Sequence, residues 1–286
     1  MSDKGEENTA SLSVWKQHSR QWHRVGAPLR PSPEDGDLMM VLANPFLASS
    51  PHPRVVVMGV TPEVVQLPWP VSTQLLALDH SAEMIAQVWS PHARIQSRVG
   101  QARWQAMPVD GGSVDVVVGD GSLNVLPQLD DYGAVLAEIA RVLKPDGCLV
   151  VRCFVRPDEM ESLSDVSRAA LDGRVGSFHA LKWRVAMALG GEGSFSVAVA
   201  DIHAAFNRCF PDRNVLAERA GWMRETIDTI DAYRGAATRY TFPTMQAICS
   251  VASPLFEIEE TRCGHYELKE RCPTLRLTRL QCGGRS

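Results

Sequence analysis

The sequence lacks the apolar segments that would place it in or across a membrane. No run of apolar residues in the 286-residue chain approaches the roughly 20 that a bilayer-spanning helix needs. The first ten residues are polar and acidic, without the basic start and apolar stretch of a secretory signal. We therefore expect a cytoplasmic protein with no membrane partner, and a disordered tail over residues 1–10.

Closely spaced cysteine pairs are also missing. The seven cysteines are scattered and odd in number, which argues against a disulfide framework. Cys263, Cys272 and Cys282 lie too far apart along the chain for a CxxC metal knuckle. We expect no bound metal, and a reducing compartment fits this cysteine pattern best.

An excess of basic residues is the third absence. Lysine and arginine number 29 against 33 acidic residues, for a net charge of −4. Binding to a phosphate backbone requires a basic surface, so nucleic acid is not an expected partner. With 45% apolar residues the chain can bury a large core, and one enlarged domain fits its length.

What the sequence does contain is an alternation of strand and helix patterns. Apolar runs rich in β-branched residues predict strands at 54–59, 74–79, 113–119 and 148–154, with a weaker strand near 93–97. Helical patterns occupy 82–89, behind a Ser81 cap, and 131–143. Such alternation implies parallel pairing through right-handed crossovers, so we expect an α/β fold with a doubly wound, mostly parallel sheet.

Helical patterns dominate on either side of this core. Helices are predicted over 11–23, 177–189, 197–210 and 216–230. Two further strands, 255–261 and 274–280, are separated by a glycine-containing connection that favours an antiparallel return.

The pattern divides the chain into five parts. They are a tail (1–10), a helical lid (11–53), a core of alternating strands and helices (54–155), a helical insertion (156–252) and strands that complete the sheet (253–286).

Candidate ligand-binding residues lie at the strand ends, because open parallel sheets bind ligands beyond the carboxyl ends of their strands. Gly59 follows the first strand, where a glycine allows close backbone approach. Asp79 ends the second strand, and a carboxylate there can accept both hydroxyls of an adenosine ribose. The alternative is that Asp79 only caps the helix that begins near Ser81.

Four segments together resemble the class I S-adenosylmethionine-dependent methyltransferases: 76–85, 102–109, 113–121 and 140–147. The most distinctive is 140–147, Ala-Arg-Val-Leu-Lys-Pro-Asp-Gly, which is similar to the family's turn before the fifth strand. The resemblance covers about a third of the chain firmly. It implies a seven-stranded Rossmann-like sheet with a reversed C-terminal strand, and S-adenosylmethionine as the methyl donor.

Carried over position by position, the resemblance implies a set of cofactor-binding residues at the carboxyl edge of the sheet. Gly59 and Val60 would approach the methionine half of the cofactor, Asp79 would hold the ribose, and His80 and Met84 would wall the adenine. The full set is Gly59, Val60, Glu63, Asp79, His80, Met84, Arg103, Trp104, Gly119 and Asp120.

The remaining members of the set extend it in two directions. Arg103 and Trp104 would border the adenine edge. Gly119 would face the methionine carboxylate, and Asp120 would stand where cofactor and acceptor meet.

The sequence departs from the family pattern in the first loop and at the adenine edge. Val57 stands where an acidic residue is usual, Thr61 and Glu63 replace glycines, and Arg103 replaces an aspartate. Our hypothesis is that Glu63, near a helix N-terminus, takes over the missing acid's role and holds the cofactor's α-ammonium. The alternative is a carboxylate that only caps this helix.

The predicted reaction is in-line methyl transfer to O, N or S of a small molecule. Such a displacement depends chiefly on positioning, and the sequence shows no catalytic constellation, so catalytic residues stay unassigned, as do the acceptor and the oligomeric state. A non-catalytic binding or structural protein of the same fold is the alternative, suggested by the altered loop. A nicotinamide oxidoreductase is disfavoured because no GxGxxG follows the first strand.

Overall fold

The computed structural model describes residues 25–191 and 194–280. The predicted tail (1–10) and helix (11–23) lie outside the described residues. Within them, the main sheet has seven strands in the order β3-β2-β1-β4-β5-β9-β8. These strands are β1 (Arg54–Met58), β2 (Gln74–Asp79), β3 (Gln96–Gln101), β4 (Val114–Asp120), β5 (Leu143–Arg152), β8 (Phe256–Arg262) and β9 (Thr274–Arg279).

Strand pairing confirms the predicted sheet. The first five strands pair in parallel, and β9 runs antiparallel to both β5 and β8. In the centre, Val56 of β1 lies between Leu76 of β2 and Val117 of β4. Helices cover both faces, and strands buried in this way carry uninterrupted apolar runs rather than an alternating pattern.

The helices of the core divide between the two faces of the sheet. One face carries α1 (Pro33–Ala48), α2 (Pro62–Val65) and α3 (Ala82–Val88), whose apolar side chains pack on alternate residues of β1 and β4. The other face carries α4 (Asp130–Val142) and α10 (Met245–Ala252).

The insertion between β5 and α10 builds its own apolar cluster. It contains a two-stranded antiparallel ribbon of β6 (Ser196–Ala198) and β7 (Arg239–Thr241). Its helices are α5 (Leu163–Leu171), α6 (Phe178–Ala188), α7 (Val199–Cys209), α8 (Arg213–Ala220) and α9 (Arg224–Ile227), followed by a 3-10 turn, Asp228–Tyr233. Because α10 packs against α4 and β8, it belongs to the core, and the insertion ends before the predicted boundary at 252.

Several elements differ from the predicted ones, and the fifth strand begins at Leu143 rather than at Cys148. The third strand begins at Gln96 rather than near residue 93, because pairing with β2 starts there. The predicted helix over 216–230 is broken: α8 ends at Ala220, and Gly221 follows with a φ of 69°. A glycine in this left-handed conformation is a common helix stop.

The sequence analysis did not predict α1. Its start has a capping box, in which Ser32 accepts from the Asp35 amide and the Asp35 side chain accepts from the Ser32 amide. The helix packs against β4, β5 and β9. Helix α1, which lies in the described part of the predicted lid (11–53), is therefore a layer of the core. Val25 and Leu29, from the segment before α1, line a cavity at the carboxyl ends of the strands.

Candidate functional site

A cavity of about 110 Å³ opens at the carboxyl ends of β1, β2 and β4. Its wall has two parts. The sheet-end half consists of Gly59, Val60, Asp79, His80, Met84 and Trp104. The aromatic half consists of Phe154 at the end of β5 and Trp183, Tyr233 and Tyr240 from the insertion. Concave sites with mainly apolar and aromatic walls and a few polar groups are typical of small-molecule binding.

Asp79 ends β2 inside the cavity. Its Oδ1 accepts the Ser81 amide at 2.8 Å, and its Oδ2 lies 3.9 Å from the position that a Cβ would take at Gly59. Burial raises the pKa of Asp79, although the Ser81 hydrogen bond opposes the shift. The cap of α3 is Ser81 itself, whose Oγ accepts the Met84 amide at 3.2 Å. Asp79 therefore stabilises this turn with one oxygen and carries the other on the Gly59 side.

Gly59 is held in a conformation that other residues rarely adopt. Its φ is +106°, and its amide donates to the Leu78 carbonyl at 2.8 Å. A side chain at this position would strain the turn from β1 into α2. The part of the cavity wall that faces Asp79 is therefore formed by the Gly59 backbone, without a side chain.

Trp104 fixes the loop that follows β3. Its indole is 8% exposed, and Nε1 donates to the Leu78 carbonyl at 2.7 Å. The neighbouring Arg103 is exposed and does not contact the cavity. Of the two residues expected at the adenine edge, the structure thus brings only Trp104 to the cavity wall.

Glu63 lies in α2 but outside the cavity wall. Its Oε1 forms an ion pair with Arg30. Its Oε2 is buried and accepts no hydrogen bond from any residue in 25–191 or 194–280. Glu63 therefore ties the segment before α1 to the first loop, and its expected contact with an α-ammonium stays a prediction.

Gly119 supports the site from behind. It does not contact the cavity, but a Cβ there would lie 2.6 Å from Ser122 Oγ and 2.9 Å from Met58 Cε. Ser122 uses the space to donate to the Met58 carbonyl at 2.7 Å. The missing side chain thus lets the loop after β4 close against the end of β1.

A buried ionic network surrounds Arg152, the last residue of β5, whose side chain is fully buried. The guanidinium donates to Asp120 Oδ1 at 2.5 Å, to Asp35 Oδ2 at 3.0 Å and to the Pro28 carbonyl at 2.9 Å. The Tyr266 hydroxyl donates to Asp35 Oδ1 at 2.6 Å. The network joins the segment before α1 to the ends of β4 and β5.

Asp120 is the member of this network that reaches the cavity. Burial raises its pKa, the negative charges of Asp35 and Glu63 raise it further, and Arg152 opposes the shift. Because the guanidinium occupies one oxygen of the carboxylate, Asp120 is held in a fixed position at the junction of the two halves.

Asn124 joins the core to the insertion. Its Nδ2 donates to the carbonyls of Phe154 and Thr241, each at 2.7 Å, and its Oδ1 accepts the Phe154 amide at 2.8 Å. All of its side-chain polar atoms are thereby used within the protein. Asn124 positions Phe154 in the aromatic half of the cavity.

The structure brings most of the predicted set together. Seven members contact the cavity: Gly59, Val60, Asp79, His80, Met84, Trp104 and Asp120. Glu63, Arg103 and Gly119 do not. The sequence analysis missed Arg152 and Asn124, although a lone arginine inside the apolar run 148–154 was a usable signal, because a buried charge needs a partner.

Two further features of the described residues bear on the site. They contain no group of three or more His, Cys, Asp or Glu side chains placed to hold a metal ion. None of the helices over these residues combines the length and apolar character that crossing a membrane requires.

Solved structures with similar folds share little sequence with this chain. A Rhodobacter sphaeroides protein provisionally assigned as a Zn-dependent alcohol dehydrogenase is 11% identical, with 95% of this chain and 98% of that chain covered and a TM-score of 0.59. The CcbJ methyltransferase of Streptomyces caelestis is 11% identical, with 94% and 98% covered and a TM-score of 0.52. At these identities the likeness shows the fold alone.

A third structure is the 1,6-didemethyltoxoflavin-N1-methyltransferase of Burkholderia thailandensis, 13% identical, with 98% of this chain and 91% of that chain covered and a TM-score of 0.51. No curated protein matches the sequence. A sequence model of the family described as "Methyltransferase domain" matches residues 59–151, from the end of β1 to β5. The match covers about a third of the chain, over the strands that build the sheet-end half, and this part of the chain is similar to methyltransferase domains.

Proposed function

We propose that this protein transfers the methyl group of S-adenosylmethionine to an oxygen, nitrogen or sulfur atom of a small molecule in the cytoplasm. The observation that carries the proposal is the Asp79 carboxylate, which ends β2 inside the cavity and faces the bare backbone of Gly59. Carboxylates at this place in dinucleotide-binding sheets hold a ribose.

The residues present fit an adenosyl cofactor. The positive φ of Gly59 leaves room that a side chain would fill, and Asp79 Oδ2 lies at the edge of that room. Asp79 would hold the ribose hydroxyls, while Met84 and Trp104 would contact the adenine. Gly59 and Val60 would approach the methionine half through their backbone. Bound there, S-adenosylmethionine supplies a methyl group already activated by its sulfonium.

The protein's own contribution is positioning and the exclusion of water. A displacement of this kind gains much of its rate when the reacting atoms are held about 3–3.5 Å apart. The Arg152 network and the Arg30–Glu63 ion pair hold the segment before α1 against the site, where Val25 and Leu29 contact the cavity. Asp120 lies at the junction of the two halves, where it can orient an acceptor.

A small acceptor fits the walls of the cavity. The insertion closes one side with apolar and aromatic surface, which favours compact ligands over a polymer. One structure of the same fold is described with bound 1,6-didemethyltoxoflavin and S-adenosylhomocysteine, a small molecule and a cofactor product together. The six cysteines in the described ranges are free, which supports the cytoplasmic location.

Calorimetry with S-adenosylhomocysteine tests the cofactor site. We expect Asp79→Ala to weaken binding by about 1.5–3 kcal/mol, roughly ten- to a hundredfold. The same variant should lose affinity for 5′-methylthioadenosine, which keeps the ribose but lacks the amino-acid half. Asp146→Asn, an exposed carboxylate on the turn before the apolar part of β5, is the matched control and should bind both compounds normally. If neither compound binds the wild-type protein, the proposed function is wrong.

The second candidate is a binding protein of the same fold without catalysis. The bulkier loop with Thr61 and Glu63 favours it, because the usual glycines are absent there. Incubation with methyl-labelled S-adenosylmethionine and fractionated small-molecule extracts separates the two candidates. An enzyme yields labelled product and S-adenosylhomocysteine, whereas a binding protein shows calorimetric binding and no transfer to any fraction.

A further inference from the structure

The aromatic half of the cavity is a rigid wall. Phe154 and Trp183 pack edge to face with ring centroids 5.1 Å apart, and Trp183 and Tyr240 do so at 5.7 Å. Tyr233 and Tyr240 follow at 6.1 Å. Behind the wall, Phe242 packs on Trp183 at 5.2 Å. Rings locked in this way present fixed flat surfaces and edges, which suit a flat ligand better than a flexible chain.

One polar atom of this wall has no partner inside the protein. Trp183 is 5% exposed, and its Nε1–H donates to no group in residues 25–191 or 194–280. A buried donor without an acceptor is costly to the folded state, so such a group calls for an explanation. A ligand with an acceptor atom would satisfy the indole.

Positive charge lies against two of the four rings. Lys182 Nζ is 4.8 Å from the centre of the Tyr233 ring, and the Arg152 guanidinium is 5.1 Å from that of Phe154. Lys182 is 1% exposed and has no carboxylate within 4.0 Å in the described part of the chain. Burial lowers its pKa to about 7. These cations already use the negative faces of the rings that a bound ammonium would need.

We propose that the aromatic half binds a planar aromatic or heteroaromatic acceptor, neutral or anionic, with a hydrogen-bond-accepting atom at Trp183 Nε1. An aliphatic or benzylic ammonium is disfavoured, because the Lys182 and Arg152 side chains already lie against the faces of the Tyr233 and Phe154 rings. This inference rests on the proposed function, because it names the acceptor class of the same cavity.

Four flat probes of similar size test it by calorimetry on the full chain saturated with S-adenosylhomocysteine. They are naphthalene-like compounds that differ in polarity: quinolin-4-ol, 1-naphthoate, 1-naphthylmethylammonium and naphthalene itself. We expect the first two to bind at least about tenfold more tightly than the ammonium, a difference of about 1.4 kcal/mol. Equal or tighter binding of the ammonium would overturn the proposal.

Two variants assign the effect to its residues. Trp183→Phe keeps a ring but removes the donor. The affinity for quinolin-4-ol should therefore fall by about 2- to 12-fold, the range for one hydrogen bond, while the affinity for naphthalene stays unchanged. Lys182→Met removes the buried cation. The affinity for 1-naphthoate should therefore fall, and the affinity for 1-naphthylmethylammonium should rise. Unaltered affinity for S-adenosylhomocysteine in both variants shows that the fold and the cofactor site are intact.

The outcomes separate the two proposals. Binding of S-adenosylhomocysteine without binding of any flat probe leaves the methyltransferase assignment standing and overturns the acceptor class. An unchanged affinity for quinolin-4-ol in Trp183→Phe also overturns it. Failure of the wild-type protein to bind S-adenosylhomocysteine contradicts the proposed function, and the acceptor class falls with it.

Discussion

Arg152 and Asp120 are register partners on neighbouring strands, and their side chains also form a buried ion pair, with Nε 2.5 Å from Oδ1. The same guanidinium binds Asp35 of α1 and the Pro28 carbonyl. One side chain therefore connects the end of the sheet, a covering helix and the segment that contacts the cavity. Its charge balances two carboxylates that are both almost fully buried.

Replacing this arginine should be strongly destabilising. In Arg152→Met the carboxylates of Asp35 and Asp120 lose their common partner, and breaking a buried pair in this way costs about 3–5 kcal/mol. Urea denaturation measures the loss. Arg168→Met, at a side chain that is 66% exposed, is the control and should stay within about 0.5 kcal/mol of wild type. A loss below 1 kcal/mol for Arg152→Met would show that the network contributes little.

Two glycine substitutions should have opposite effects. Gly59→Ala forces a side chain into a φ of +106°, which should cost about 1–3 kcal/mol and weaken S-adenosylhomocysteine binding. Gly133→Ala lies within α4, where a Cβ meets nothing within 4 Å, and should stabilise the protein by about 0.5–1 kcal/mol. Thermal melting with and without ligand checks both. Equal melting temperatures for the two variants contradict the strain assigned to Gly59.

The buried Lys182 predicts a stability that depends on pH. Its pKa falls from 10.5 in the unfolded chain to about 7 in the folded protein, so between these values the unfolded state binds more protons. Stability should therefore rise with pH from about 7 towards 10.5 through this group. Lys182→Met should stabilise the protein most below pH 7, by up to several kcal/mol at about 1.4 kcal/mol per pH unit of displacement.

Urea denaturation at pH 6.5, 8.5 and 10 follows this difference. The gain of Lys182→Met over wild type should shrink at each step. Arg168→Met, at a side chain that is 66% exposed, should show a constant difference. A gain from Lys182→Met that does not change with pH would mean that the folded lysine keeps its proton across the whole range, as the unfolded chain does.

The α-ammonium hypothesis for Glu63 has a specific ligand test. If Glu63 acts on the amino-acid half of the cofactor, Glu63→Gln should weaken S-adenosylhomocysteine by about tenfold, the order expected for a hydrogen bond to a charged group, and leave 5′-methylthioadenosine unchanged. If Glu63 only pairs with Arg30, both ligands should change together or not at all. Glu83→Gln, at the first turn of α3, is the matched acidic control.

The central strands could be predicted from sequence because burial on both faces leaves an uninterrupted apolar run. β1 and β2 have this character, and the predicted runs match them closely. β3 pairs on one side only and carries Gln96, Ser97 and Arg98, so its start is poorly marked in the sequence. Helix α1 was not predicted, because its buried face includes Asp35 and Gly36, residue types that are common in loops.

The site was predictable where one short segment builds it. Asp79, His80 and Met84 follow a single strand, and the structure places all three at the cavity. The aromatic half could not be predicted, because Phe154, Trp183, Tyr233 and Tyr240 meet only through the packing of the insertion. Arg103 was expected at the adenine edge from the family resemblance, but it opens a turn closed by the Ala106 amide, and its side chain is exposed outside the cavity wall.

The loop after β4 couples the unfolding of the insertion to that of the core. Residues 124–127 are hydrogen-bonded to the two-stranded ribbon of the insertion. The Thr241 amide donates to the Asn124 carbonyl, and the Thr241 hydroxyl donates to the Leu126 carbonyl. The Ser196 hydroxyl donates to the Pro127 carbonyl. Thermal unfolding of the insertion should therefore break these hydrogen bonds and disrupt the loop that follows β4. Scanning calorimetry should accordingly record one cooperative endotherm, because the core and the insertion unfold together.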